Sequence, residues 1–145
     1  MKIAVFAGTF DPFTIGHQDI VNRALPLFDQ IIIAIGINEE KNPLFPLVER
    51  IEIIRKSYKN HTKITVQTFS GLTGIFCQKN DAAYLIRGIR NAVDFQYEND
   101  LAQANAAIFG IETIFFMTHP TLSHVSSSLV RELYKNKGNY LKYLP

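Results

Sequence analysis

The segment Gly8-Thr9-Phe10-Asp11-Pro12-Phe13-Thr14-Ile15-Gly16-His17 gathers residue types that suit phosphate chemistry. A glycine at its start lets the backbone approach a ligand closely. Gly16 leaves the beginning of the following helix uncrowded, and the free N–H groups of such a beginning attract anions. His17, in the first turn, faces the same space and can hydrogen-bond a phosphate oxygen. A strand-to-helix turn with a surface histidine would account for His17 alone. The joint occurrence of Gly8, Thr9, Asp11, Gly16 and His17 favours a binding site.

Four further groups could serve the same chemistry. Arg87 and Arg90 bracket Gly88, and two guanidinium groups there make a fork for bidentate phosphate binding, with surface carboxylates as the alternative partners. Ser126, Ser127 and Ser128 suit a helix cap, and their hydroxyls and N–H groups can also hold phosphates. Arg131 follows one turn later, where a solvated helix face is the alternative. Asp94 and Glu98, four apart on one helix face, could be acid–base partners or magnesium ligands. Lys41 stands in a loop, where most lysines are simply solvated.

Elements must bring these residues together. Lys2–Ala7 reads as a buried strand, and the apolar residues between Gly16 and Phe28 recur at helical spacing. Ile31–Ile37 is almost purely β-branched, as in a central parallel strand. A helix opening at Pro46 runs through Val48, Ile51 and Ile54 to about Tyr58. Strand patterns recur at Ile64–Phe69, at Ala83–Ile86 with Gly88 as its stop, and at Thr113–Met117. Helices are predicted over Leu72–Lys79, Asn91–Ala107 and Ser127–Lys135, with a short helical tail at Tyr140–Leu144. The alternation predicts an α/β chain: one domain over residues 1–145, a Rossmann-like open parallel five-stranded sheet with helices on both faces. Ligands of such sheets sit at the carboxyl ends of the strands, and the candidate groups fall just after strands.

Composition is consistent with this. The 145 residues are 47% hydrophobic and 19% charged with a net charge of +2, which fits a globular core and argues against a nucleic-acid partner. The single cysteine, Cys77, lies in an apolar run and reads as a small buried hydrophobe. The N-terminal apolar run is too short for a membrane span, so cytoplasm is the expected location. The absence of Gly-x-Gly-x-x-Gly after the first strand speaks against a dinucleotide oxidoreductase.

Thr14-Ile15-Gly16-His17 resembles the T/H-x-G-H signature of the nucleotidyltransferase superfamily, and Ser126-Ser127-Ser128-Leu129-Val130-Arg131 resembles its second, serine-rich signature. Together with Gly8-Thr9-Phe10-Asp11-Pro12, Leu85-Ile86-Arg87-Gly88-Ile89-Arg90 and Asp94-Phe95-Gln96-Tyr97-Glu98, these segments are similar to the bacterial phosphopantetheine adenylyltransferase family over nearly the whole chain. The resemblance implies transfer of AMP from ATP to 4'-phosphopantetheine, with Mg²⁺ as cofactor, CoA or dephospho-CoA as product or feedback ligand, and a homohexamer. It implies catalytic roles for His17, Lys41 and Arg90. It implies an ATP site at Thr9, Phe10, His17, Gly88, Ile89, Arg90, Glu98, Leu122, Ser123, His124, Val125 and Ser126–Ser128. It implies an acceptor site at Thr9, Lys41, Thr73, Arg87 and Asn105, and no protein cage for a metal. Leu122, Thr73 and Glu39 depart from the family's usual residues, and the C-terminal helix is expected to be short. The competing acceptors are nicotinamide mononucleotide and, with CTP, an alcohol phosphate; a nucleotide sensor without turnover is the competing class.

Overall fold

Runs of β-branched and aromatic residues form the five strands β1 (Ile3–Gly8), β2 (Gln30–Gly36), β3 (Ile64–Phe69), β4 (Tyr84–Ile89) and β5 (Glu112–Met117). The five main helices between and after them are α1 (Ile15–Ala24), α2 (Leu47–Ser57), α3 (Thr73–Lys79), α4 (Ala92–Phe109) and α5 (Ser127–Lys135). This computed structural model describes all residues, Met1–Pro145. The strands pair in parallel in the order β3-β2-β1-β4-β5. Val5 is the pivot of the register, opposite Ile32 of β2 on one side and Leu85 of β4 on the other. The chain therefore winds outward from β1 through β2 to β3, then returns to β1's other edge. The carboxyl ends of β1 and β4 part at this reversal, where an open α/β sheet binds its ligands.

Alternation along the strands splits the core between the two faces. Ala4, Phe6, Ile31, Ile33, Ile35 and Ile86 face one side, against Ile20, Val21 and Ala24 of α1 and Ile54 of α2. Val5, Ala7, Ile32, Ala34 and Leu85 face the other, against Cys77 of α3, with Phe109 of α4 packed alongside. Helices on both faces were the sequence expectation. Burial also pushes the Cys77 thiol up to about 11, which keeps it an inert hydrophobe at neutral pH. No helix is long and apolar enough to cross a membrane.

Several boundaries differ from the sequence reading. β4 does not stop before Gly88: its ladder with β5 continues through Gly88 opposite Phe116 and Ile89 opposite Met117. Gly88 lies under a close approach of α1: a Cβ there would collide with Cδ1 of Ile20 and force that side-chain end aside. α1 ends at Ala24, and Pro26 lies in a 3-10 turn, Leu25–Leu27, in place of further α-helix. α4 runs on to Phe109, where Gly110 closes it with a left-handed φ of 68°. The tail is a 3-10 turn over Leu141–Tyr143. In α2 the expected apolar stripe is shifted: Val48 is 75% exposed, while Arg50 is buried at 4%.

Candidate active site

At the reversal of strand order lies a cleft of about 360 Å³. β1 delivers Gly8, with Thr9 just beyond it, α1 delivers Gly16 and His17, β4 delivers Arg87 and Gly88, with Arg90 just beyond it, and α5 with its N-cap delivers Ser126–Ser128 and Arg131. The glycine–histidine segment, the arginine pair and the serine run, far apart in sequence, are thus brought together.

Local structure fixes His17. Thr14 is the N-cap of α1, and its hydroxyl accepts the His17 backbone N–H at 3.4 Å. In return the Thr14 backbone N–H donates to Nδ1 of His17 at 3.0 Å, closing a reciprocal cap of the kind usually made with Glu or Gln. Because Nδ1 accepts that bond, a neutral ring carries its proton on Nε2. Phe13 stacks on the ring at 5.3 Å and Phe10 meets it edge-on at 5.1 Å. Desolvation by these neighbours, reinforced by the charges of Arg87 and Arg90, lowers the His17 pKa from 6.5 to about 4. The site therefore holds a neutral imidazole with an Nε2–H donor.

The arginines are held by carboxylates. Arg87 forms a bidentate pair with Glu98, Nε to Oε2 at 2.8 Å and Nη2 to Oε1 at 2.6 Å, and its Nη1 donates to the Ala7 carbonyl at 2.7 Å. Arg90 Nε donates to Asp94 Oδ2 at 3.0 Å on the exposed first turn of α4. The Arg90 guanidinium hydrogen-bonded to Asp94 holds that carboxyl below its ordinary value. Asp94 and Glu98 thus partner the two arginines, not each other.

At the start of α5 the Ser126 hydroxyl caps the helix by accepting the Leu129 N–H at 3.0 Å. Ser127 donates to the Pro12 carbonyl at 2.8 Å, and Arg131 donates to the Asp11 carbonyl at 2.9 Å and to Ser128 Oγ at 3.1 Å. These bonds lock the β1–α1 loop to α5.

Two neighbouring cavities complete the site. One, of about 720 Å³, is lined by Thr9, Asp11, Lys41 and Arg131 among others, with Lys41 in the exposed loop after β2. The other, of about 200 Å³, is lined by Thr73, Leu101 and Asn105, and the Arg87–Glu98 pair forms the wall it shares with the central cleft. Phe10 and Val125 line the central cleft, although both are largely buried. Ile89 is buried at 2% and lines none of the three. Leu122, Ser123 and His124 also lie outside them: Ser123 donates to the Pro120 carbonyl, and His124 packs edge-on against Tyr143.

The sequence reading quoted Thr14 only within the signature, without its capping role, and did not single out Arg50. Thr14 was visible as a threonine three residues before His17, the spacing of a capping box. Arg50 was visible as a cation four residues before Ile54 on the buried side of α2.

The family described as cytidylyltransferase-like matches residues 5–133. The chain is 48% identical over 145 residues to the phosphopantetheine adenylyltransferase of Bacteroides thetaiotaomicron, covering 100% of this chain and 96% of that one. It is 44% identical over 145 residues to the enzyme of the same name from Christiangramia forsetii, again with 100% and 96% covered. Among solved structures, a bifunctional NMN adenylyltransferase/ADP ribose pyrophosphatase from Francisella tularensis superposes with a TM-score of 0.75 at 18% identity. The match covers 99% of this chain and 44% of that one, so this chain spans less than half of that protein, and the likeness is one of fold.

Proposed function

The chain belongs to the phosphopantetheine adenylyltransferases of the cytidylyltransferase-like family, and from that premise we propose how its cleft performs the transfer. The terminal phosphate oxygen of 4'-phosphopantetheine attacks the α-phosphorus of ATP in line, dephospho-CoA forms, and pyrophosphate leaves. This is a step of coenzyme A biosynthesis. A phosphate monoester is already ionised at neutral pH, so neither a protein nucleophile nor a strong base is needed. Positioning and charge stabilisation carry the catalysis.

The fixed tautomer of His17 carries this reading. Its Nε2–H donates to an oxygen of the α-phosphate and strengthens as charge builds on the five-coordinate phosphorus. A neutral donor keeps that role across the physiological pH range. Thr9 and Lys41 orient the attacking phosphate. Arg90 exchanges Asp94 for the triphosphate, and the start of α5 at Ser126–Ser128 receives the leaving pyrophosphate. Phe10, Gly88, Ile89, Glu98 and Leu122–Val125 belong to the ATP side in this reading. Thr73 and Asn105, with Arg87, take the pantetheine side.

No three His, Cys, Asp or Glu side chains converge as a metal cage. The carboxylates of the cleft are engaged, Asp11 by backbone amides, Asp94 by Arg90 and Glu98 by Arg87. Mg²⁺ would therefore be held by the triphosphate oxygens, where it neutralises charge. α4 exposes Val93, Tyr97, Leu101 and Ile108, a stripe on one side of an 18-residue helix. That stripe supports assembly of several copies, and a homohexamer is the proposed form. The cytoplasm is the proposed compartment, and CoA the proposed feedback ligand.

The test is direct. The purified protein is incubated with ATP, Mg²⁺ and 4'-phosphopantetheine, and pyrophosphate and dephospho-CoA are followed together. Parallel reactions contain nicotinamide mononucleotide, or CTP with glycerol 3-phosphate. Equal appearance of both products with phosphopantetheine alone is expected. Pyrophosphate formed with another acceptor would overturn the substrate, and ATP binding without turnover would overturn the enzyme reading.

A further inference from the structure

We propose that Asp11 and Arg50 are positioning residues that fix the Lys41 loop against Thr9 and so govern productive use of the acceptor, not of ATP. This rests on the acceptor roles given above to Thr9 and Lys41.

Asp11 is 5% exposed, and each of its carboxylate oxygens takes one backbone amide of the loop beyond Lys41. Leu44 N–H donates to Oδ2 at 2.9 Å and Phe45 N–H to Oδ1 at 2.8 Å. Arg50, 4% exposed, closes the arrangement from the opposite direction. Its Nε donates to the Phe45 carbonyl at 3.0 Å and its Nη1 to the Thr9 carbonyl at 2.9 Å. Phe45 is therefore gripped at both ends, its N–H by Asp11 and its carbonyl by Arg50. Arg50 also holds the residue two before Asp11. The circuit Thr9–Asp11–Phe45–Arg50–Thr9 makes one rigid unit of two loops that the sequence separates by more than thirty residues.

Burying an unmatched acid and base is costly, and the hydrogen bonds of these two side chains all go to the backbone of these two loops. Lys41 stands three residues before Leu44, and Thr9, Asp11 and Lys41 line the same cavity. The loop's register against β1 thus decides where the Lys41 ammonium can reach.

Thr9 and Asp11 line the central cleft as well as the Lys41 cavity, but the tie from their loop to the serine run does not use the Asp11 carboxylate. It runs through the Asp11 and Pro12 carbonyls, which accept from Arg131 and Ser127. Changing the Asp11 carboxylate leaves those bonds available. A defect that falls mainly on the acceptor follows, because the Asp11 carboxylate holds only the Lys41 loop and small misplacements of an orienting group are amplified in rate.

The experiment is a double-mutant cycle on the full chain with initial rates in both substrates. Asp11→Asn puts an amide NH₂ against a backbone N–H. It should lower kcat/KM for 4'-phosphopantetheine about tenfold or more, with KM for ATP within about twofold of the parent. Lys41→Ala should do the same, and the double variant should be no worse than Lys41→Ala alone. Arg50→Lys, which keeps the charge and loses the planar fork, should repeat the pattern with Lys41→Ala. If Asp11→Asn fails to melt cooperatively, the Arg50→Lys cycle decides. Additive losses would overturn the positioning role and leave Lys41's own role standing. A Lys41→Ala variant with parental kinetics would remove the acceptor reading of Lys41, and this inference with it. An equal rise in KM for ATP would show that the circuit merely supports the whole site.

Discussion

The state of His17 makes the sharpest claim about this cleft. A ring with a pKa of about 4 is only about 1% protonated at pH 6, whereas an ordinary imidazole would be about 75% protonated there. Long-range proton–nitrogen NMR on uniformly labelled protein reads both the charge and the tautomer. The other three histidines, His61, His119 and His124, supply internal controls, and the His17→Gln spectrum assigns the remaining signal. The expected result is an Nε2–H tautomer that persists to pH 5. A midpoint near 6.5, or a proton on Nδ1, would refute the argument, because the Thr14 N–H bond to Nδ1 would then not exist as described.

The same ring links pH to stability. The folded-state pKa lies below the unfolded value, so the unfolded chain takes up the proton first as pH falls. The stability tied to neutral His17 is fully present above pH 6.5 and is lost as pH falls towards 4. At pH 5 the loss is at most about 2 kcal/mol relative to pH 8, lowered by whatever water reaches the ring from the cleft. Urea denaturation at pH 8 and pH 5 should therefore cost the parent more than His17→Gln. Equal losses in the two proteins would sink the linkage. In kinetics, kcat/KM for ATP should show no enzyme inflection between pH 5 and 8 that His17→Gln removes, while His17→Ala should lose mainly turnover.

Three further outcomes follow from packing and charge. Gly88→Ala should cost about 1–3 kcal/mol in urea denaturation, because the new Cβ meets Ile20 Cδ1; adding Ile20→Val, which removes that carbon, should recover most of it, and simple additivity would disprove the collision. Glu98→Ala should destabilise by about 1–3 kcal/mol, less than a fully buried pair because Arg87 keeps 31% of its side chain exposed; an unchanged urea midpoint would show that the pair holds nothing. Ile108→Glu, at a position 70% exposed, should shift the protein to smaller species in sizing chromatography with little loss in melting temperature, and an unchanged elution volume would take α4 out of the interface.

The legible part of the molecule was the part governed by periodicity and local chemistry. The β-branched run of β2 and the alternation in β3 announced strands, and Gly8–His17 announced one wall of the cleft because its groups are adjacent in sequence. Less legible were features fixed across the fold. Gly88 looks like a strand terminator until Ile20 is seen to pack over it. Val48 leaves the expected apolar stripe while Arg50 is buried, because the carbonyls of Thr9 and Phe45 provide the partners a buried guanidinium needs. The carboxylate partners of Arg87 and Arg90 depend on how α4 returns across β4. Leu122, Ser123 and His124 follow a 3-10 turn at Pro120–Leu122 that sets them at the margin of the cleft Val125 lines, a placement their adjacency to the serine run does not reveal.

The two arginines bracketing Gly88 look equivalent in sequence but are unequal in the fold. Arg90 makes a single side-chain contact with Asp94, with 40% of its side chain exposed, and a solvated pair of that kind is worth well under about 1 kcal/mol. Releasing it costs almost nothing, so under the proposed reaction Arg90 is the arginine free to exchange Asp94 for a triphosphate. Arg87 has a bidentate bond to a carboxylate only 10% exposed and a third bond to the β1 backbone. Breaking that set would strand a carboxylate in a nearly dry wall, at a cost of several kcal/mol. Arg87 can therefore meet an acceptor only while keeping Glu98. The pair is a fixed wall between the central cleft and the cavity of Thr73 and Asn105. The mobile charge of the site belongs to Arg90, and the fixed wall to Arg87. Under the proposed reaction, this difference would let one cleft bind and release a triphosphate while its Arg87–Glu98 wall keeps its shape.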